Sequence, residues 1–171
     1  MDPYRLQFDQ WARELSAELY RFAYWLCRDP AQAQDLVQEA FVRAWRARTE
    51  LRDPRAAKAW LMTIVRREHA RLYERVQPEL TDLDALPIED AAQPSAESLG
   101  DTELVRAAIA RIELKYRTPL LLQVIGGFSC EEIAEQLGIS SGAVMTQLFR
   151  ARAKLKALLD PAADGRVYEL A

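Results

Sequence analysis

The segment from Gly127 to Lys156 constrains the fold more than any other part of this chain. It reads as a helix, a tight turn and a second, basic helix. Ser129 and Glu132 fit a capping box, in which a hydroxyl and a carboxylate satisfy free N–H groups at a helix start. Ile133, Ala134 and Leu137 give that helix an apolar face. Gly138 suits the left-handed residue that ends a helix without a Cβ clash. Ser140 can cap the next helix, whose inward stripe is Val144, Leu148, Ala151 and Leu155. Its outward positions are Met145, Thr146, Phe149, Arg150, Arg152 and Lys156, with Ser141 at its start. A stiff, capped, basic helix of this kind fits the major groove of DNA.

The rest of the chain also reads as helical. Of 171 residues, half are apolar, so a packed core is expected, and helix formers dominate. The fold class expected is all-α, with two helical domains joined by a flexible acidic linker. The first domain spans residues 1–76. It holds one helix from about Phe8 to Cys27, a second that starts after Asp29-Pro30, and a third from about Arg55 to Arg75 after the break at Asp53-Pro54. Proline fits the first turn of a helix because its missing N–H has no partner there. The linker spans 77–101 and carries Pro78, Pro87 and Pro94. About 24 residues reach ~80 Å extended, or ~27 Å as a coil. The second domain spans 102–160, with helices from Leu104 to Ile112 and from Tyr116 to Val124, Pro119 falling in the first turn of the latter. Residues 161–171 form a tail.

The net charge of −3 hides a strong segregation. Ala40 to Val76 carries ten bases and four acids, while Gln77 to Thr102 carries seven acids and no base. Ala143 to Lys156 carries four bases and no acid. Nucleic-acid binding depends on local patches, so the acidic average does not exclude it. If the four bases of the last helix each met one phosphate, the salt slope would be about −3.6, or ~150-fold in affinity over a fourfold rise in salt.

Other classes find little support. No apolar run approaches the roughly 20 residues that span a bilayer, and no signal peptide is recognisable. Cys27 and Cys130 read as buried thiols of a reducing compartment, and His69, the only histidine, as a surface or DNA-facing residue. No nucleophile-and-base arrangement and no glycine-rich phosphate loop is present, so neither an enzyme, nor a cofactor or metal, nor a small-molecule substrate is expected.

A second motif runs Asp35-Leu-Val-Gln-Glu-Ala-Phe-Val-Arg-Ala-Trp-Arg46. With Trp60-Leu61, Tyr116-Arg117, Gly127 to Ala134, Gly142 to Val144 and Arg150 to Arg152, it resembles the bacterial RNA polymerase sigma factors, and among them the extracytoplasmic-function (ECF) group. The resemblance covers Leu19 to Leu159. It implies a factor that binds core RNA polymerase and directs promoter-specific initiation. Asp35, Gln38, Glu39, Arg43 and Arg46 would meet the β′ clamp helices, and the second domain the β flap. Arg52, Arg55, Lys58, Arg66, Arg67 and Arg71 would contact the −10 element. Opening DNA requires bases held out of the stack and cations on the phosphates. Trp60 reads as core rather than as a stacking platform. Relatives often carry Asn where this chain has Arg67, which favours backbone contact there. Ser141, Met145, Thr146, Phe149, Arg150 and Arg152 would read the −35 element, with Met145 standing where relatives carry a cation.

The resemblance further implies an anti-sigma factor as partner and a cytoplasmic chain, held at the membrane where that partner sits there. The acidic linker would thread toward the polymerase cleft and the RNA exit path, or serve as a solvated spacer. Two rivals remain. One is a helix-turn-helix regulator that binds duplex DNA without polymerase. The other is a helical adaptor that mimics a sigma factor for protein partners.

Overall fold

The computed structural model describes residues 2–76 and 100–160; residues 77–99 of the expected linker and the tail lie outside them, while Asp101, expected in the linker, opens a helix. Seven α-helices account for nearly all of the described residues, in two bundles.

In the first bundle, α1 (Pro3–Cys27) begins where the Asp2 carboxylate accepts the Tyr4 N–H at 3.0 Å, and Pro3 takes the first position. It begins five residues before the expected start, because Asp2-Pro3 supplies a complete N-cap. Arg28 ends it in the left-handed region at φ 58°, its N–H donating to the Tyr24 carbonyl. Asp29 then caps α2 (Pro30–Arg46) through the Gln32 N–H at 3.0 Å. Asp53 repeats the device ahead of a 3-10 turn at Pro54–Ala56, which leads into α3 (Ala57–Val76).

Leu19, Phe22, Ala23 and Leu26 of α1, Leu36, Val37, Ala40 and Ala44 of α2, and Leu61, Met62 and Val65 of α3 are buried together. The small alanines of α2 let its backbone approach its neighbours. At the far end Phe8 meets Phe41 and Trp45 edge-on, at 5.8 and 5.2 Å between centroids, and Arg48 lies 4.3 Å from the Trp45 ring centre. Trp60 is half-buried against this core, as expected of a packing residue.

The second bundle comprises α4 (Asp101–Ala110), α5 (Leu114–Val124), α6 (Cys130–Leu137) and α7 (Ser141–Leu159). Pro119 falls on the sixth residue of α5, not in its first turn, because the helix starts at Leu114. Tyr116 through Leu122 are all buried. A helix covered on every side lacks the one-sided pattern of a surface helix. Here the covering comes from α6 and α7 within the bundle and from α1 of the other.

The two bundles share one continuous apolar cluster. Around it, the Arg106 guanidinium of α4 lies 4.7 and 5.1 Å from the Tyr24 and Trp25 ring centres of α1. Arg66 Nη2 donates to the Gln136 carbonyl at 3.2 Å, and Lys58 Nζ sits 5.5 Å from the Phe128 ring centre.

Gly126 and Gly127 join α5 to α6. Gly127 has φ 70°, a glycine conformation. A Cβ on Gly126 would stand 2.5 Å from both the Leu122 carbonyl oxygen and the Phe128 ring. Gly126→Ala is therefore expected to destabilise the protein by ~2 kcal/mol, read from the midpoint of chemical denaturation.

Candidate nucleic-acid interface

The helix-turn-helix forms as the sequence reads. Ser129 Oγ accepts the Glu132 N–H at 3.2 Å while Glu132 Oε2 accepts the Ser129 N–H at 2.8 Å. Gly138 takes φ 67°, and Ser140 Oγ accepts the Ala143 N–H at 3.1 Å. These caps fix both ends of the turn, so α7 leaves it in one direction. Val144, Leu148 and Ala151 anchor α7 in the core, with Leu155 half-buried behind them.

That anchoring leaves Phe149 and Met145 in water, 74 % and 56 % exposed. Thr146 and Arg150 flank them, and Thr146 donates its hydroxyl to the Gly142 carbonyl at 3.1 Å. Ser141, at the first position of α7, is half-exposed. Helix α5 supplies acceptors to the bases of α7. Arg150 Nη1 donates to Tyr116 Oη at 3.3 Å, and Arg152 donates to the Gln123 side-chain oxygen. Lys154 pairs with Glu113 at 2.7 Å, which holds the Glu113 carboxyl below its ordinary range. The Arg150 hydrogen bond likewise lowers the Tyr116 phenol.

The six basic residues expected along the first bundle do not form one free stripe. Arg52 and Arg67 are exposed. Arg55 is engaged by the cap residue Asp53, whose carboxyl it lowers through a side-chain hydrogen bond, and Arg71 by Glu68 at 2.9 Å. Lys58 pairs with Glu18 at 3.1 Å and, like Arg66, turns toward the second bundle. Burial pulls the Arg66 guanidinium below the ordinary arginine range, with the neighbouring Arg67 charge adding to it.

On α2, Asp35, Gln38 and Arg46 are exposed. Glu39 and Arg43 pair at 2.8 Å, and Arg43 reaches Glu68 of α3 at 2.8 Å, so these two also tie α2 to α3. Val42, four residues from Gln38 and from Arg46, is exposed in the same row and escaped the sequence reading. Its signal was the helical spacing itself. Tyr116 and Gln123 escaped it too, because their partners lie 34 and 29 residues away.

Two further expectations need correction. His69 is neither surface nor DNA-facing: it is 3 % exposed, beneath α5. The cysteines are free but only partly buried. Cys27 Sγ donates to the Asp29 carbonyl at 3.4 Å, and burial raises its thiol pKa. Among the described residues no group of three or more His, Cys, Asp or Glu is placed to hold a metal ion, and no helix is long and apolar enough to cross a membrane.

The description of sigma-70 region 2 matches residues 11–78, and that of sigma-70 region 4 matches residues 102–155. The ECF RNA polymerase sigma factor SigL of Mycobacterium tuberculosis is 33 % identical over 153 residues, 85 % of each chain. The sigma factor RpoE of Bartonella quintana, solved with the anti-sigma factor NepR, is similar over 88 % of this chain and 96 % of that one, with TM-score 0.71 and 29 % identity. CnrH, solved with the cytosolic domain of CnrY, is similar over 90 % and 87 %, with TM-score 0.66 and 28 % identity. The chain belongs to the sigma-70 family of RNA polymerase sigma factors. Within that family it is an ECF-group sigma factor, which directs promoter-specific initiation by core polymerase.

Burial, with the Arg117 charge adding to it, pushes His69 down to about 4 from an ordinary 6.5. The unfolded chain therefore binds a proton that the folded one refuses between those values. Stability should fall as pH drops from about 6.5 toward 4, by on the order of 2 kcal/mol. Denaturation midpoints at pH 7.5 and 4.5 test this against His69→Gln, which should lose that part of the pH dependence.

Proposed function

We infer that the exposed face of α7 reads the −35 element, that Arg52, Arg67 and the adjoining bases of the first bundle meet the −10 element, and that Asp35, Gln38, Val42 and Arg46 face the polymerase clamp. The observation that carries this reading is the pair Phe149 and Met145, held in water on a rigid helix between Thr146 and Arg150. Nothing in the packing of α7 needs two large apolar groups outside. A thymine methyl offers such groups a partner, and an arginine fork matches the two acceptors on guanine.

The protein acts by binding and supplies no catalytic group of its own. Its partners are core polymerase, through the β′ clamp helices and the β flap, and promoter DNA. An anti-sigma factor is a third, supported by the similar sigma factor RpoE of Bartonella quintana, which was solved with the anti-sigma factor NepR. A cytoplasmic location follows from polymerase binding. The domain roles are divided as the sequence suggests, with residues 1–76 for clamp and −10, 102–160 for −35, and 77–101 joining them.

Phe149→Ala with Arg150→Ala is expected to abolish promoter-specific transcription by reconstituted holoenzyme, while the variant still co-purifies with core polymerase. Simultaneous loss of both properties would assign these residues to the fold instead. Asp35→Ala with Gln38→Ala should do the reverse. It should weaken polymerase binding about tenfold by competition against the native chain and leave the circular dichroism unchanged. Arg43 is avoided in that test because its pairing with Glu68 supports the bundle.

A further inference from the structure

The four bases of α7 are not equivalent. Lys154 is paired with a carboxylate, Glu113, so its charge is largely cancelled locally. Lys156 is exposed near the end of the helix. Arg150 and Arg152 differ from both: each is held by a neutral acceptor from α5, the Tyr116 hydroxyl and the Gln123 amide oxygen. A neutral acceptor fixes the direction of a guanidinium and leaves its positive charge intact. A carboxylate in the same place would fix it too, but would compete with DNA phosphate for the charge.

The geometry of Tyr116 suits this work. Its ring is buried in the α5–α7 contact, with Lys115 and Lys154 ammonium groups 4.9 and 5.3 Å from the ring centre. A ring packed in this way gives its hydroxyl a fixed position. An arginine has five N–H donors in a planar fork, and Tyr116 occupies one of them, on Nη1. The remaining donors suffice for a bidentate contact with guanine or with a phosphate. Ordering a long side chain before binding removes part of the entropy cost of association.

Building on the reading of α7 as the −35 contact, we propose that Tyr116 is a positioning residue for promoter recognition, whose hydroxyl aims Arg150 at the DNA while leaving its charge available, and that Gln123 does the same for Arg152. Nothing in the resemblance assigns either residue such a role. Both act through an arginine and need not touch DNA themselves.

The test uses holoenzyme assembled from core polymerase and the full chain. Selection from a randomised duplex pool first defines the preferred −35 sequence. Affinity is then measured for that duplex and for its single base-pair variants. Tyr116→Phe keeps the ring and removes the hydroxyl. It should weaken binding about fivefold, the worth of one hydrogen bond. It should also flatten discrimination at the base pair where Arg150→Ala does so. The salt slope should stay unchanged for Tyr116→Phe, because the arginine keeps its charge.

The decisive comparison is the double variant. Tyr116→Phe should add nothing once Arg150 is alanine. Gln123→Leu, partly exposed and tolerant of change, should likewise add nothing to Arg152→Ala. A Tyr116→Phe loss that persists in the Arg150→Ala background means a structural role and overturns the proposal, as does unchanged discrimination in the single variant. If Arg150→Ala itself leaves −35 binding intact, the reading of α7 has failed, and the positioning role falls with it for that distinct reason.

Discussion

A guanidinium buried where the two bundles meet sets the terms on which they pack. Arg117 of α5 is 7 % exposed, and Nη1 donates to the Ala110 carbonyl at 3.1 Å, closing the turn between α4 and α5. Burial pulls it below the ordinary arginine range, and the groups that act on its charge are Tyr73 of α3, Cys27 at the end of α1 and Arg28 just after it. None of these is a carboxylate. A buried charge without an opposite partner costs several kcal/mol unless hydrogen bonds offset it. The contact between bundles is carried by apolar area, by the Arg66 hydrogen bond to the Gln136 carbonyl and by cations on aromatic faces, Arg106 over Tyr24 and Trp25 and Lys58 over Phe128. Burial opposes the protonation of His69 as well, and the Arg117 charge adds to it.

This seam also divides the candidate site. A cavity of about 330 Å³ opens along it, lined by Leu26, Arg66, His69 and Thr118 on one stretch and by Leu137 and Ile139 on another. Arg66 reaches across to the Gln136 carbonyl. In this arrangement the exposed face of α7 looks outward, whereas Lys58 and Arg66 of the first bundle are engaged by the second. The two DNA-facing surfaces inferred for this chain are thus unequally accessible when the bundles lie together.

What the sequence made legible is the chemistry that acts over a few residues. Ser129 with Glu132, Gly138, Ser140, Asp29-Pro30 and Asp53-Pro54 all sit where their local bonding rules put them, because a cap is satisfied within three or four residues. The inward stripe of α7 followed for the same reason. What stayed hidden depends on the other bundle or on another helix. His69 looks like a surface residue between Arg67 and Arg71 until α5 covers it. Arg66 and Lys58 look like free cations until partners 70 and 40 residues away engage them. Arg43 lies off the apolar stripe of α2, yet Glu68 draws it onto α3. Pro119 looked like a helix start because its own missing N–H is costless there, but the buried run from Tyr116 to Leu122 carries the helix through it.

The outer face of α7 mixes apolar and cationic groups. Met145 and Phe149 present apolar surface on the outer face of α7. Apolar contact with a base edge is insensitive to salt, whereas each phosphate contact contributes about −0.9 to the salt slope. With Lys154 paired to Glu113 and Arg150 turned to a base edge, Arg152 and Lys156 remain for phosphate contact, and the slope expected for this helix is about −1.8 in place of −3.6. The shift runs toward reading and away from clinging. A helix with fewer usable charges gains more from each arginine being aimed before it meets DNA, which is why neutral acceptors from α5, and not carboxylates, suit the two arginines beside Phe149.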